Sequence, residues 1–275
     1  MTAVASLSVP DNHGSDDKGK VPRAQTRSLK RGLAALDYVA VAGEVGVSDL
    51  ATALHLPRAS AHILLTTLLE SGYVRQSGRR GRYRLDLQVL PLAHAVLKHM
   101  PVRERAAPLL HELASRTGQA TYLAVLFRNQ VINIDRIHPT PSPEARADLG
   151  QVNPAYASAM GKVLLAHLQP EELEEYLATI VLAPLTEQTI TSVDTLRREL
   201  EEVGRRGYAL SDGELRPRVR SVSAPVFSYD GNTVAAICAL HSTPFGSPPD
   251  QTLIQAVIDT ASHISYTLGY GAKPE

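Results

Sequence analysis

With 275 residues, 44% of them hydrophobic, the chain has material for two ordinary cores. Its formal charge is zero, which excludes a globally basic nucleic-acid coat. The charge is uneven, however: residues 28–100 carry nine Lys/Arg against five Asp/Glu, and residues 101–275 carry fifteen against twenty. A basic front and an acidic rear predict two separate jobs. The single cysteine, Cys238, excludes an internal disulfide framework. No apolar run reaches the length of a membrane span and the first 26 residues lack the apolar stretch of a secretion signal, so a cytoplasmic protein is expected.

Residues 1–26 hold almost no large apolar side chains and read as a disordered tail, with a DNA-touching arm through Arg23 and Arg27 as the alternative. Ser28 reads as the cap of a helix to about Val41, with Leu29, Leu33, Leu36 and Ala40 on its inward face. Ser48 reads as the cap of a short second helix with Leu50, Ala51 and Leu54 inward, and His55-Leu56-Pro57 forms the turn after it. A third helix, Arg58 to Glu70, buries the stripe Ala61, Leu64, Leu65, Leu68 and Leu69. Its other face presents Arg58, Ala59, His62, Ile63 and Thr66, and Arg58, Ser60, His62, Ile63 and Thr66 form the candidate reading surface. Tyr73-Val74-Arg75 and Arg82 to Leu85 then read as two strands, turned by Gly78 and Gly81, with Arg79, Arg80 and Arg82 at a basic tip.

A helix pair with a tight turn can lay its second helix in the major groove of double-stranded DNA. There Arg58 can reach a guanine or a phosphate, and Ile63 can contact a thymine methyl. The basic ribbon tip beside it can neutralise phosphates, which positions a protein without reading sequence. The alternatives are a solvated helix face and a solvated charge run.

Leu87 to about His99 is amphipathic and reads as a connector, interrupted by Pro101. Val102 to Arg116 is helical, ending at Gly118. Alternating strands follow at 120–127 and 130–137, then a proline-rich loop at 138–145 that is expected to be mobile. Ala157 to His167, Pro170 to Thr179 and Ser192 to Arg206 read as helices. Strands at Val222 to Ser228 and Thr233 to Leu240 flank an Asp230-Gly231 turn, a hairpin signal, and a last helix spans about Asp250 to Leu268.

Taken together, these residues resemble the IclR family of transcriptional regulators over about residues 27–270. The matching stretches are Ser28 to Leu33, Leu56 to His62, Gly72-Tyr73-Val74, Tyr83-Arg84-Leu85, Pro154 to Lys162, Gly207-Tyr208-Ala209, Glu214 and Ala224 to Phe227, in order and at family spacing. The chain departs from the family at Ile63, where a basic residue is usual, and at Arg218 and Ser221, where Gly and Cys are common. The resemblance implies an α+β protein with a winged helix-turn-helix domain (27–86), a linker helix (87–101) and a GAF-like α/β effector-binding domain (102–271). It also implies a homodimer or dimer of dimers in which a small organic acid or similar metabolite changes DNA binding; a repressor is expected, although an activator uses the same parts.

On that reading the effector site is formed by Ser158, Ala159 and Met160 at a helix start, where free backbone N–H groups can hold an anion. Ser211, Asp212, Glu214, Ser221 and Ser223 are expected around its rim, and Cys238 and Leu240 along its wall. Each carboxylate can instead pair with Arg216, Arg218 or Arg220, and Cys238 can be a small core residue. Leu240 makes the expected cavity apolar, favouring an aromatic or larger acid. Gly161-Lys162 lacks the glycine pattern of a phosphate loop. The histidines show no zinc spacing, and no G-x-S-x-G elbow occurs, so neither a metal nor a cofactor is expected. Two rival readings are an enzyme using Asp212 or Glu214 as general base and an architectural DNA binder without a ligand.

Overall fold

The computed structural model describes residues 26–77, 81–139, 149–241 and 250–271. The expectations for the tail, for Arg79 and Arg80, and for most of the proline-rich loop lie outside the described residues. The chain divides into two compact units between Ala93 and His94.

The first unit comprises α1 (Arg27–Ala42), α2 (Val47–Ala53), α3 (Arg58–Glu70), β1 (Val74–Ser77) and β2 (Arg82–Leu85). The two strands pair antiparallel, Val74 opposite Leu85 and Ser77 opposite Arg82. Val45 adds a third rung by exchanging backbone hydrogen bonds of 2.9 and 2.7 Å with Tyr83. The core is small: Ala35, Val39, Val45, Leu50, Ala61, Leu65, Val74 and Tyr83. The arrangement is the expected winged helix-turn-helix.

Two local readings are corrected here. Neither serine caps its helix: Thr26 precedes α1, and α2 begins after Gly46, whose N–H donates to the Asp49 carboxylate at 2.9 Å. A reaching-back Asp at the third helical position does the work assigned to Ser48. The α1 stripe is also split. Leu36 is partly buried, but Leu29 and Leu33 are 62% and 54% exposed and Ala40 is exposed, while Ala35 and Val39 fill the core. The helix has two apolar faces, and only one finds a partner within this unit.

The division between units falls inside α4 (Val89–Lys98), none of whose residues is fully buried. The second unit continues through α5 (Pro101–Thr117), β3 (Thr121–Phe127), β4 (Gln130–Ile137), β5 (Val152–Pro154), a short 3-10 turn (Ala155–Ala157), α6 (Ala159–Ala166), α7 (Pro170–Thr179), α8 (Val193–Arg206), β6 (Ala209–Asp212), β7 (Arg220–Phe227), β8 (Thr233–His241) and α9 (Gln251–Thr267). Its six strands form an antiparallel sheet in the order β5-β4-β3-β8-β7-β6. One sheet face meets α5 and α9 through Leu110, Leu123, Val222, Ile237 and Val257. The other meets the helices α6 to α8 through Tyr122, Ala124, Val131, Cys238, Leu165, Leu196 and Leu200. Strand alternation assigns neighbouring residues to opposite cores. Burying each leucine contributes about 1.5–3 kcal/mol, so both layers hold the sheet. Gly207 takes the left-handed conformation, φ 78°, that ends α8. β5 and β6, at three and four residues, are too short to show a period in sequence.

Candidate functional site

In the first unit, α3 runs over the expected residues, Arg58 to Glu70. Arg58, His62 and Ile63 are exposed, Ile63 by 63%, while Ser60 and Thr66 are half-buried. None of the five belongs to the core, so their side chains are available to a groove. Arg82 departs from expectation. Its guanidinium donates to the Asp49 carboxylate at 2.9 Å and to the Glu44 carbonyl at 2.8 Å, tying β2 to α2. These contacts hold the wing against α2. Arg84, on the exposed side of β2, has no ion pair among the described residues and is the cation sequence reasoning passed over.

In the second unit, a cavity of about 60 Å³ opens between the sheet and the start of α6. That is several times the need of a single water, about 10–15 Å³. Ser158, Ala159 and Met160 form one wall, and Ser211, Ser221, Cys238 and Leu240 line it from β6, β7 and β8. Pairing brings the strand residues together: Ser211 stands opposite Ser221, Ser221 opposite Leu240, and Tyr122 opposite Cys238. Tyr122, Asn133, Asn153, Leu215, Arg216 and Val219 complete the lining. Of these, sequence reasoning weighed only Arg216, as a possible partner of acids or ligand. Asn133 carried no clear signal: in QVINIDRI it shares strand parity with Val131 and Asp135, a mixed face.

Helix α6 approaches the 3-10 turn closely at Gly161, where an added Cβ would stand 2.0 Å from the Ala155 carbonyl oxygen. Ser158 caps the helix, its Oγ accepting from Gly161 N at 3.1 Å. The first turn leaves the N–H groups of Ala159 and Met160 without intrahelical partners. Among the described residues, Arg216 is the only charged residue in the lining, and no carboxylate shares it.

Three residues expected at the rim are not among the described lining of the cavity. Asp212 pairs with Arg220 at 3.0 Å. Ser223 is fully buried, its hydroxyl donating to the Ile237 carbonyl at 2.6 Å. Glu214 is buried, and one carboxylate oxygen accepts from Lys162 Nζ at 2.8 Å. Lys162, 2% exposed, also donates to Glu199 at 3.2 Å, and Arg206 reaches Glu199 at 3.1 Å. Burial pushes the Glu214 carboxyl above its ordinary range, and the Lys162 charge opposes the shift. The hydroxyls of Thr186 and Thr189 donate to the carbonyls of Gly213 and Glu214 at 2.7 Å each. These bonds fix the segment that carries Leu215 and Arg216. Arg218 holds φ 65°, the left-handed region, which explains why glycine suits that position.

Burial also pushes the Cys238 thiol up to about 12, against a hydrogen bond to Ser221. The thiolate is the reactive form. Iodoacetamide at pH 8 is therefore expected to label Cys238 only as fast as the second unit unfolds, with the rate climbing in urea alongside the unfolding curve. Rapid stoichiometric labelling of folded protein would contradict the enclosed wall. Among the described residues no cluster fit to hold a metal ion occurs. No helix among them is long and apolar enough to cross a membrane.

Comparison with known proteins matches both units. Residues 28–78 match the IclR helix-turn-helix domain, and residues 94–266 match the bacterial transcriptional regulator IclR C-terminal domain. The chain is 30% identical over 253 residues to the transcriptional repressor IclR of Escherichia coli strain K12, covering 90% of this chain and 91% of that one. A crystal structure of a transcriptional regulator from Rhodococcus sp. RHA1 superposes with a TM-score of 0.72 at 32% identity, covering 89% of this chain and 98% of that one. An IclR homolog from Microbacterium hydrocarbonoxydans, crystallised with 4-hydroxybenzoate, gives a TM-score of 0.71 at 25% identity, covering 88% and 98%.

Proposed function

The chain belongs to the IclR family of bacterial transcriptional regulators, and from that premise we propose that it represses transcription from an operator in double-stranded DNA under the control of a small organic acid. It is a DNA-binding regulator with an effector-binding domain and not an enzyme. The observation that carries the effector reading is the charge of the cavity: among the described residues, Arg216 is its only charged lining residue. An anion suits such a wall, with its carboxylate against the first turn of α6 or Arg216. Met160, Leu215, Val219 and Leu240 supply apolar surface for the body of a larger or aromatic acid. The 4-hydroxybenzoate bound by the Microbacterium homolog supports this class. The repressor of E. coli supports the sign of regulation.

The working form is a homodimer, or a dimer of dimers, in the cytoplasm. The outer stripe of α1, with Leu29 and Leu33, and the exposed Leu87, Leu90 and Leu92 give the first unit apolar surface that a second copy would cover. Two winged domains then read a near-palindrome whose spacing follows the dimer. An acid changes DNA affinity only by binding the two states unequally.

The test is binding of the full chain to its own upstream intergenic DNA against random DNA, across a salt series, with and without aliphatic and aromatic acids. Specific binding that one acid shifts is the expected result. Arg58→Ala and Ile63→Ala are each expected to cut the preference for specific DNA by about 1–3 kcal/mol. Their thermal unfolding should match wild type, because both side chains are exposed. Specific binding indifferent to every acid would favour the architectural reading. No preference over random DNA at any salt would sink the assignment of α3.

A further inference from the structure

Asn133 is fully buried, and neither its amide nitrogen nor its amide oxygen has a hydrogen-bond partner among the described residues. Its backbone is satisfied: the N–H donates to the Gln151 carbonyl at 3.1 Å, and the carbonyl accepts from Gly150 at 2.8 Å. The side chain lines the cavity from β4, in register with Ala124 of β3. Two other polar groups of the wall are occupied, Ser158 by Gly161 N and the Asn153 oxygen by Gln151. A buried amide left unmet is unfavourable, so this position asks for a polar group from whatever fills the cavity.

We propose that Asn133 is a specificity-determining residue and that the effector is a hydroxylated acid, carrying at least one hydroxyl besides its carboxylate. The inference rests on the acid-binding reading above. An asparagine amide offers both donors and an acceptor. A hydroxyl also does both, and two neighbouring hydroxyls answer the nitrogen and the oxygen at once. A second carboxylate would meet the amide nitrogen but repel the amide oxygen, and an apolar end would leave both unmet. Solvent that meets the amide in the free protein must leave when a ligand enters, and a ligand that does not reproduce those bonds loses affinity. A site built around a hydrogen-bonding group thus rejects the analogue lacking it far more strongly than an apolar wall rejects an added group.

Calorimetric titration of the full chain with matched acids tests this: butyrate against 3- and 4-hydroxybutyrate, and benzoate against 3- and 4-hydroxybenzoate. Wild type is expected to bind at least one hydroxylated acid about tenfold or more tightly than its parent. Asn133→Leu, similar in size, is expected to shrink that advantage to about twofold or less while still binding the parent acid. Parents that bind wild type as well as every hydroxylated partner would overturn the proposal, as would an advantage that survives in Asn133→Leu. If that variant fails to melt cooperatively, the wild-type pairs alone decide. Binding of no acid at all, with specific DNA binding intact, is a different failure, that of the acid-binding reading itself.

Discussion

Lys162→Met is expected to destabilise the second unit by about 3–5 kcal/mol at neutral pH, the cost of leaving a buried charge without its partner. The lysine is 2% exposed and binds Glu214 at 2.8 Å, and the second Glu214 oxygen is buried without a hydrogen-bond partner. A methionine fills the volume and removes the charge, so the loss is electrostatic and not a cavity. Adding Glu214→Leu to the same chain should recover most of it, since replacing a whole buried pair by apolar groups is often neutral. The pH dependence has a definite sign. Burial holds the folded Glu214 carboxyl above its ordinary 4.5, so folding favours the protonated form, and this group's contribution is best below 4.5 and is lost as pH rises through the folded value. Without Lys162 the opposing charge is gone and the shift grows. The deficit of Lys162→Met relative to wild type should therefore be small below 4.5 and widen toward neutrality. Urea denaturation of the full chain at several pH values measures it. A deficit that does not vary with pH would show that the network is packing and little else.

Gly161→Ala should cost more than the about 1–3 kcal/mol of ordinary overpacking. Alanine is the better helix former by about 1 kcal/mol, so propensity alone predicts a gain. The new methyl, however, would stand 2.0 Å from the Ala155 oxygen and 2.4 Å from its Cα. The obstacle is backbone, which no rotamer change relieves, and either the 3-10 turn or α6 must move. Because Ser158, Ala159 and Met160 join the two, the cavity wall moves with them, and acid binding should weaken along with stability. Gly204→Ala in α8 is the control. Its methyl meets only the Ala166 carbonyl at 3.7 Å, an ordinary contact, so it should stabilise by about 0.5–1 kcal/mol. Equal effects at the two positions would remove the steric argument.

What was legible in sequence was the periodic part. The Ala61 to Leu69 stripe placed α3, and Asp230-Gly231 placed the β7–β8 turn. Caps were misread because a serine at a helix start is only one way to satisfy the first N–H groups, and Asp49 supplied another. The outer stripe of α1 was read as core because a pattern shows that a face is apolar but not what covers it. For the cavity, motif order found the α6 start and the β7 and β8 residues. It missed Tyr122 and Asn133, which reach the site only through pairing of β3 with β8 and β4. Asp212, Glu214 and Ser223 were misplaced because closeness in sequence does not say which charge or carbonyl a side chain turns to.

If, as we propose, the wing contacts DNA, Arg82 meets it with counter-anions already in place. Asp49 and Glu44 sit against its guanidinium, so it brings little unbalanced charge and frees few cations from the duplex. The salt slope of binding gains about 0.9 for each phosphate neutralised, and this arginine should barely add to it. A phosphate that did capture Arg82 would also draw it away from the carboxylate that caps α2. The ionic footprint of Arg82 is thus smaller than its charge suggests, and phosphate contacts read off the salt dependence would undercount it.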